Sequence, residues 1–198
     1  MAGKTDSNVQ VTLEKVVCDY TSGLFEARTV QGGTNPRYSY SIIVDKNSPS
    51  FKVFSAAVEK SVKAVFGDEW QKKLKEWKNN SMRCCFMEGS VKNEDRYPED
   101  TIVISANRNQ SQGRIAVFDR KLNQLTVDDG VVYPGCIVNA TFNLWTQNDA
   151  GQIGLRAQAV NIQFVRDGEA LSGGGVAGSQ GLKPIEDSDG EDVADIMG

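Results

Sequence analysis

VVYPGCIVNATFNLWTQNDAGQIGLRAQAVNIQFV, residues 131–165, is the stretch on which the fold turns. Tyr133-Pro134-Gly135 reads as a turn. Beyond it, Val138, Ala140, Phe142 and Leu144 alternate with Asn139, Thr141, Asn143 and Trp145, the period-two pattern of a strand with one apolar face. Gln147-Asn148-Asp149-Ala150-Gly151 supplies residues for a reversal. A second run follows, with Leu155, Ala157, Ala159 and later Ile162 and Phe164 set against Arg156, Gln158, Asn161 and Gln163. The reading is a two-stranded antiparallel ribbon whose polar face carries one aromatic ring, Trp145, and one guanidinium, Arg156. Rings that stack on bases and cations that pair with phosphates are what a single-stranded nucleic acid platform needs. An ordinary sheet with one surface tryptophan has the same pattern.

Working outward, residues 1–10 are polar and predict a disordered N-terminus. Val11, Leu13, Val16, Val17, Leu24, Phe25 and Ala27 suggest strands as far as about residue 30. RYSYSIIVD, residues 37–45, is a strand with Tyr38, Tyr40, Ile42 and Val44 in alternation. Arg37 and Tyr38 are candidate ligand contacts at its start, and Tyr38 is equally readable as core. Ser48 and Pro49 begin a helix, Phe54, Val58, Val62 and Phe66 recur along it, and Gly67 ends it. Asp68 is a candidate cap for a second helix, on which Trp70, Leu74 and Trp77 share one face and Lys72, Lys73, Lys75 and Lys78 ride the others as a solvated surface. Residues 82–88 and 101–107 read as strands, 89–100 as a polar loop, 108–114 as a flexible basic loop and 115–119 as a further strand. Six or seven short strands around one helical insertion fit a mainly β fold, an OB-fold (a five-stranded Greek-key barrel), or else a sandwich.

Composition narrows the function classes. No apolar run reaches the length of a membrane span, and MAGKTDSNVQV lacks the apolar core of a signal peptide, so the expected location is the cytoplasm with no membrane partner. The four cysteines, Cys18, Cys84, Cys85 and Cys136, form no C-x-x-C pair, and the chain contains no histidine. Neither a zinc site nor histidine acid–base chemistry is therefore expected, and no cofactor is implied. Carboxylate pairs at Glu94-Asp95, Glu99-Asp100 and Asp128-Asp129 are the only support for a metal-dependent enzyme, and all three sit in turn-like segments. The net charge of -4 is uneven. Residues 169–198 carry seven acids against Lys183, while the preceding 168 residues hold 21 basic and 19 acidic groups. A mildly basic body can meet an anionic polymer, and the acidic tail can compete for the same surface or reach a basic partner.

PED-TIVISANR at 98–108, VFDR at 117–120, the Tyr133-Pro134-Gly135-Cys136 turn and the closing run NIQFVRDGE at 161–169, followed by glycines, together resemble the tailed-phage single-stranded DNA-binding proteins, a family first described as a domain of unknown function. The resemblance covers about residues 10–175. It implies a non-enzymatic OB-fold that coats single-stranded DNA without sequence preference in phage DNA replication, recombination or repair. The division it implies is a disordered N-terminus at 1–10, a binding domain at 11–168 with a helical insertion at about 48–79, a glycine-rich linker at 169–182 and an acidic tail at 183–198. Carried onto this chain, Trp145 stacks on bases, with Tyr38 and Tyr97 as further candidates. Arg37, Arg83, Arg108, Arg114 and Arg156 pair with phosphates, Arg108 and Arg114 first among them because they flank a small, polar loop. Asp187, Asp189, Glu191, Asp192 and Asp195 of the tail compete with DNA or dock phage or host replication proteins. The sequence ends Asp195-Ile196-Met197-Gly198, without the terminal aromatic that several such proteins carry. The competing reading is a non-catalytic interaction module, such as a homodimer, joined through the Trp70/Leu74/Trp77 face.

Overall fold

The computed structural model describes residues 7–29, 33–149 and 151–171. Most of the expected linker and all of the expected acidic tail lie outside the described residues. In chain order the elements are β1 (Val9–Tyr20), β2 (Arg37–Asp45), α1 (Pro49–Phe66), α2 (Trp70–Trp77), β3 (Phe86–Glu88), α3 (Gly89–Asn93), β4 (Thr101–Asn109), β5 (Ala116–Phe118), β6 (Ile137–Asp149) and β7 (Gln152–Arg166). Among the described residues no helix is long and apolar enough to cross a membrane.

The seven strands join in the order β3-β4-β2-β1-β6-β7-β5. A further parallel pairing of β4 with β7, through Asn107 and Gln158, closes β1, β2, β4, β7 and β6 into a ring. This is the five-stranded barrel of the OB-fold, with the helical insertion between its second and third strands. The apolar parity of each strand fills the barrel. Val138, Ala140, Phe142 and Leu144 of β6 are buried, as are Leu155, Ala157, Ala159, Ile162 and Phe164 of β7. The inward set of β7 shifts from odd to even numbers because Thr141 pairs with Asn161 and Phe142 with Ala159, which leaves Val160 as a bulge. β1 makes the same shift between Leu13 and Val16. There Lys15 takes a φ of 55° and its N–H donates to Asn139 Oδ1 at 3.0 Å.

The insertion starts and stops on its local chemistry. Ser48 Oγ accepts from the Phe51 N–H at 3.2 Å, and Gly67, at φ 52°, donates its N–H to the Lys63 carbonyl. Phe54, Val58 and Val62 of α1 are buried, and the Phe54 ring meets Phe142 and Phe86 edge-on at 6.3 and 5.5 Å. Serines tie the helix down where it crosses polar backbone. Ser50 Oγ donates to the Glu14 carbonyl at 2.8 Å, and Ser61 Oγ donates to the Ser7 carbonyl at 2.8 Å.

Several expectations are corrected. Val9 and Gln10, read as part of a disordered terminus, pair with Leu144 and Asn143 of β6. Leu24, Phe25 and Ala27 form no strand, and Arg28 alone bridges to Arg37. Asp68 does not cap α2, because a 3-10 turn over Gly67–Glu69 leads into it. The strand expected at 82–88 shrinks to β3, and the expected loop at 89–100 contains α3. Trp77 is buried against Phe66, with ring centroids 5.4 Å apart, so only Trp70 and Leu74 of the expected dimer face remain half-exposed.

Candidate nucleic-acid interface

The outward face of β6 and β7 forms the floor of an open groove of ≈ 880 Å³. Antiparallel register sets Trp145 directly opposite Arg156 and Asn143 opposite Gln158. Directly opposed residues share a face, so the ring and the guanidinium separated by eleven positions in sequence become neighbours. Arg156 is held in place. Its Nε donates to Gln147 Oε1 at 3.1 Å and its Nη1 to the Met82 carbonyl at 2.8 Å. Gln147 is fixed in turn, donating from Nε2 to Gln152 Oε1 at 3.1 Å and to Asp149 Oδ2 at 3.2 Å.

One wall is the segment before β3. The Leu155 N–H donates to the Arg83 carbonyl at 2.8 Å, and the Cys85 N–H to the Leu155 carbonyl at 3.1 Å. This close approach needs Gly154, since a Cβ there would stand 2.2 Å from the Arg83 carbonyl oxygen. Exposed Arg83 is thereby placed on the rim. The other wall comes from exposed Arg37 at the start of β2, from Asn109 at the end of β4 and from Gln112 in the 3-10 turn after it, while Asn107 of β4 continues the floor beside Gln158. Among the described residues the lining contains Arg37, Arg83 and Arg156 and no carboxylate. A positively charged trough with one ring on its floor suits a phosphate-linked chain of planar bases.

Of the residues expected at the site, the structure brings Trp145, Arg156, Arg37 and Arg83 together. It does not bring the others. Tyr38 is 7% exposed and belongs to the core, because it shares inward parity with Tyr40 and Ile42. Tyr97 is 6% exposed in a satellite cluster with Ile43 and Val103, and its hydroxyl donates to buried Asp19 at 2.9 Å. Burial, and then the bond to Asp19, push its hydroxyl up to about 12. Arg108 turns its guanidinium onto backbone, with Nη2 to the Gln112 carbonyl at 2.8 Å and Nη1 to the Ala159 carbonyl at 3.4 Å. It positions the 3-10 turn Gln110–Gln112 beside the groove. Arg114 is exposed after Gly113 and is not part of the lining. The tail acids Asp187, Asp189, Glu191, Asp192 and Asp195 lie outside the described residues. The carboxylate pairs also stand apart from the groove, and Asp129 Oδ2 is engaged by the Thr126 N–H and hydroxyl at 2.6 and 2.8 Å.

Sequence reasoning passed over the amides Asn107, Asn143 and Gln158. Alternation had placed the last two on the polar face, but only register shows that all three adjoin one another.

A family model described as Enterobacter phage Enc34, ssDNA-binding protein, matches residues 9–194. Protein p50 of Acyrthosiphon pisum secondary endosymbiont phage 1 is 29% identical over 175 residues, which cover 86% of this chain and 91% of that one. The single-stranded DNA-binding protein from bacteriophage Enc34, solved in complex with ssDNA, superposes with a TM-score of 0.65 at 21% identity, covering 86% of this chain and 97% of that one. Gp2.5, a single-stranded DNA binding protein encoded by bacteriophage T7, gives a TM-score of 0.55 at 11% identity, over 91% of this chain and 97% of that one. These two structures share the fold.

Proposed function

The chain belongs to the Enterobacter phage Enc34 ssDNA-binding protein family, and from that premise we propose that the groove over β6 and β7 binds single-stranded DNA without sequence preference. The observation that carries the reading is the pairing of Trp145 with Arg156 in a groove that, among the described residues, is lined by no carboxylate. A base stacks on the Trp145 ring. Arg37 and Arg83 on the two rims pair with phosphates, and Arg156, fixed from below, keeps the floor positive. Non-covalent stacking and ion pairing coat a strand without altering it, which is what replication, recombination and repair require of such a protein.

In this reading the binding domain is the body from 11 to 168, residues 169–182 are a linker, and the acidic tail at 183–198 competes for the groove when DNA is scarce or docks replication proteins. A second reading rests on half-exposed Trp70 and Leu74, which line another groove of ≈ 760 Å³ between α1, α2 and β3. It makes the chain an oligomeric interaction module. Stable oligomers dispersed by Leu74→Asp, with no affinity for DNA, would favour it.

The test is a tryptophan-fluorescence titration with a dT oligonucleotide and with matched duplex, run at several salt concentrations on wild type and Trp145→Ala. Salt-sensitive quenching by the single strand, lost in the variant, is expected. Absence of binding at low salt would sink the proposal, and binding unchanged by the substitution would remove Trp145 from the site.

A further inference from the structure

Resting on the reading of the groove as a single-stranded DNA site, we infer that Asn107, Asn143 and Gln158 hold the Watson–Crick edges of the bound bases, and that this contact makes the site selective for single strands. The three lie in one row across the groove floor. Gln158 is paired with Asn143 on β6 and with Asn107 on β4. All three line the groove. Among the described residues their side chains make no hydrogen bond, whereas Gln147, Gln152, Asn109 and Gln112 in the same lining are each engaged with a neighbour. A row of amides left free between fixed ones is available for a ligand.

The chemistry of that ligand follows from the amide. Each side chain offers a donor and an acceptor side by side. Each of the four bases presents a donor and an acceptor side by side on its Watson–Crick edge. Rotation of a free amide through half a turn exchanges its two groups, so one side chain matches every base. That gives hydrogen bonding without sequence preference. In a duplex the same edges are occupied by the complementary strand, so a duplex offers the row nothing. Asn143 sits two positions from Trp145 on the same face of β6, about 7 Å along the strand. A base lying on the ring therefore has its edge beside the row. Stacking and phosphate pairing alone discriminate less, because phosphates are common to both forms of DNA.

The experiment compares, on the wild-type full chain, a dT oligomer, the same oligomer with N3-methylthymine at every base, and an abasic oligomer of equal length. N3-methylation keeps the ring for stacking and the phosphates for pairing, and blocks only the edge. Binding of the methylated strand is expected to be about tenfold weaker or worse than dT, yet stronger than that of the abasic strand. The doubly substituted Asn143→Leu/Gln158→Leu chain is expected to bind dT no better than wild type binds the methylated strand, with an unchanged salt slope. Equal binding of dT and its methylated form by wild type would overturn the inference and leave the single-stranded reading standing. Failure of all three oligomers to bind would overturn both.

Discussion

Trp145 and Tyr97 show how differently two aromatic side chains of one sheet protein are spent. Trp145 is held on the outer face by its place in β6, so its truncation changes the ligand surface and not the core. Trp145→Ala should cost about 1–3 kcal/mol of DNA affinity, with thermal stability close to wild type, as read by titration and calorimetry side by side. Tyr97 is buried against Asp19. Its hydroxyl titrates at about 12 in the folded chain against 10.0 for an unperturbed tyrosine. Between those values the unfolded chain has released the proton while the folded chain retains it, so stability is full below about pH 10 and falls as pH rises toward 12. Denaturant unfolding across that window should show the decline, and Tyr97→Phe should make it shallower, with buried Tyr40, whose hydroxyl is also pushed up by burial, supplying part of what remains. At this scale the parity of β2, β6 and β7 was legible before the structure. Tyr38 alternates in step with Tyr40 and Ile42, and Arg108 in step with Ile104 and Ala106, which is why one is core and the other is drawn onto backbone carbonyls. Register between strands was not legible. It arises from contacts between positions far apart in sequence, so the Trp145–Arg156 pair and the amide row could not be assembled from alternation.

The long elements announced themselves because local chemistry specifies them. Ser48, Pro49 and Gly67 bound α1, alternation marks β2, β6 and β7, and the apolar run Ile102–Ile104 marks β4. The short ones did not. β3 is three residues long and exists through its pairing with β4 at Phe86–Ile104, Met87–Val103 and Glu88–Ile102. α3 follows directly and packs beneath Thr101 and Tyr97, close enough that a Cβ on Gly89 would meet Thr101 Oγ1 at 2.4 Å. Propensity alone does not reach such elements. The wall that carries Arg83 belongs to this class, since its position depends on Gly154. Gly154→Ala forces the Arg83 carbonyl aside and should destabilise the chain by about 1–3 kcal/mol. A lower thermal midpoint together with weaker DNA binding is the expected outcome, whereas an unchanged midpoint would show that the wall yields freely.

For the molecule as a whole, the positive charge is concentrated away from the groove. Residues 46–78 hold eight lysines against Glu59, Asp68, Glu69 and Glu76, a surplus of +4, although residues 1–168 together carry only +2. The remainder of residues 1–168 thus sums to -2, and the groove binds anions through local placement of three arginines. Log K against log salt should fall with a slope of about -2, at about 0.7 per phosphate contacted. A slope near -3.5 would bring Arg108 and Arg114 back into the site. Ending the chain at Gly175 should raise affinity at low salt, where the acidic tail competes most strongly, and unchanged affinity would remove the competitor role. The barrel itself is joined between β4 and β7 by a single strand pairing, Asn107 to Gln158, supplemented by the Arg108 side chain on the Ala159 carbonyl, while its other seams run over several pairs. Asn107 and Gln158 are also in the groove lining. A nucleotide strand laid across them acts as a clasp on the loosest seam of the cylinder. Loading should therefore slow amide exchange along the end of β4 and the middle of β7 more than elsewhere, lacing the cylinder along the side where its own strands are joined least.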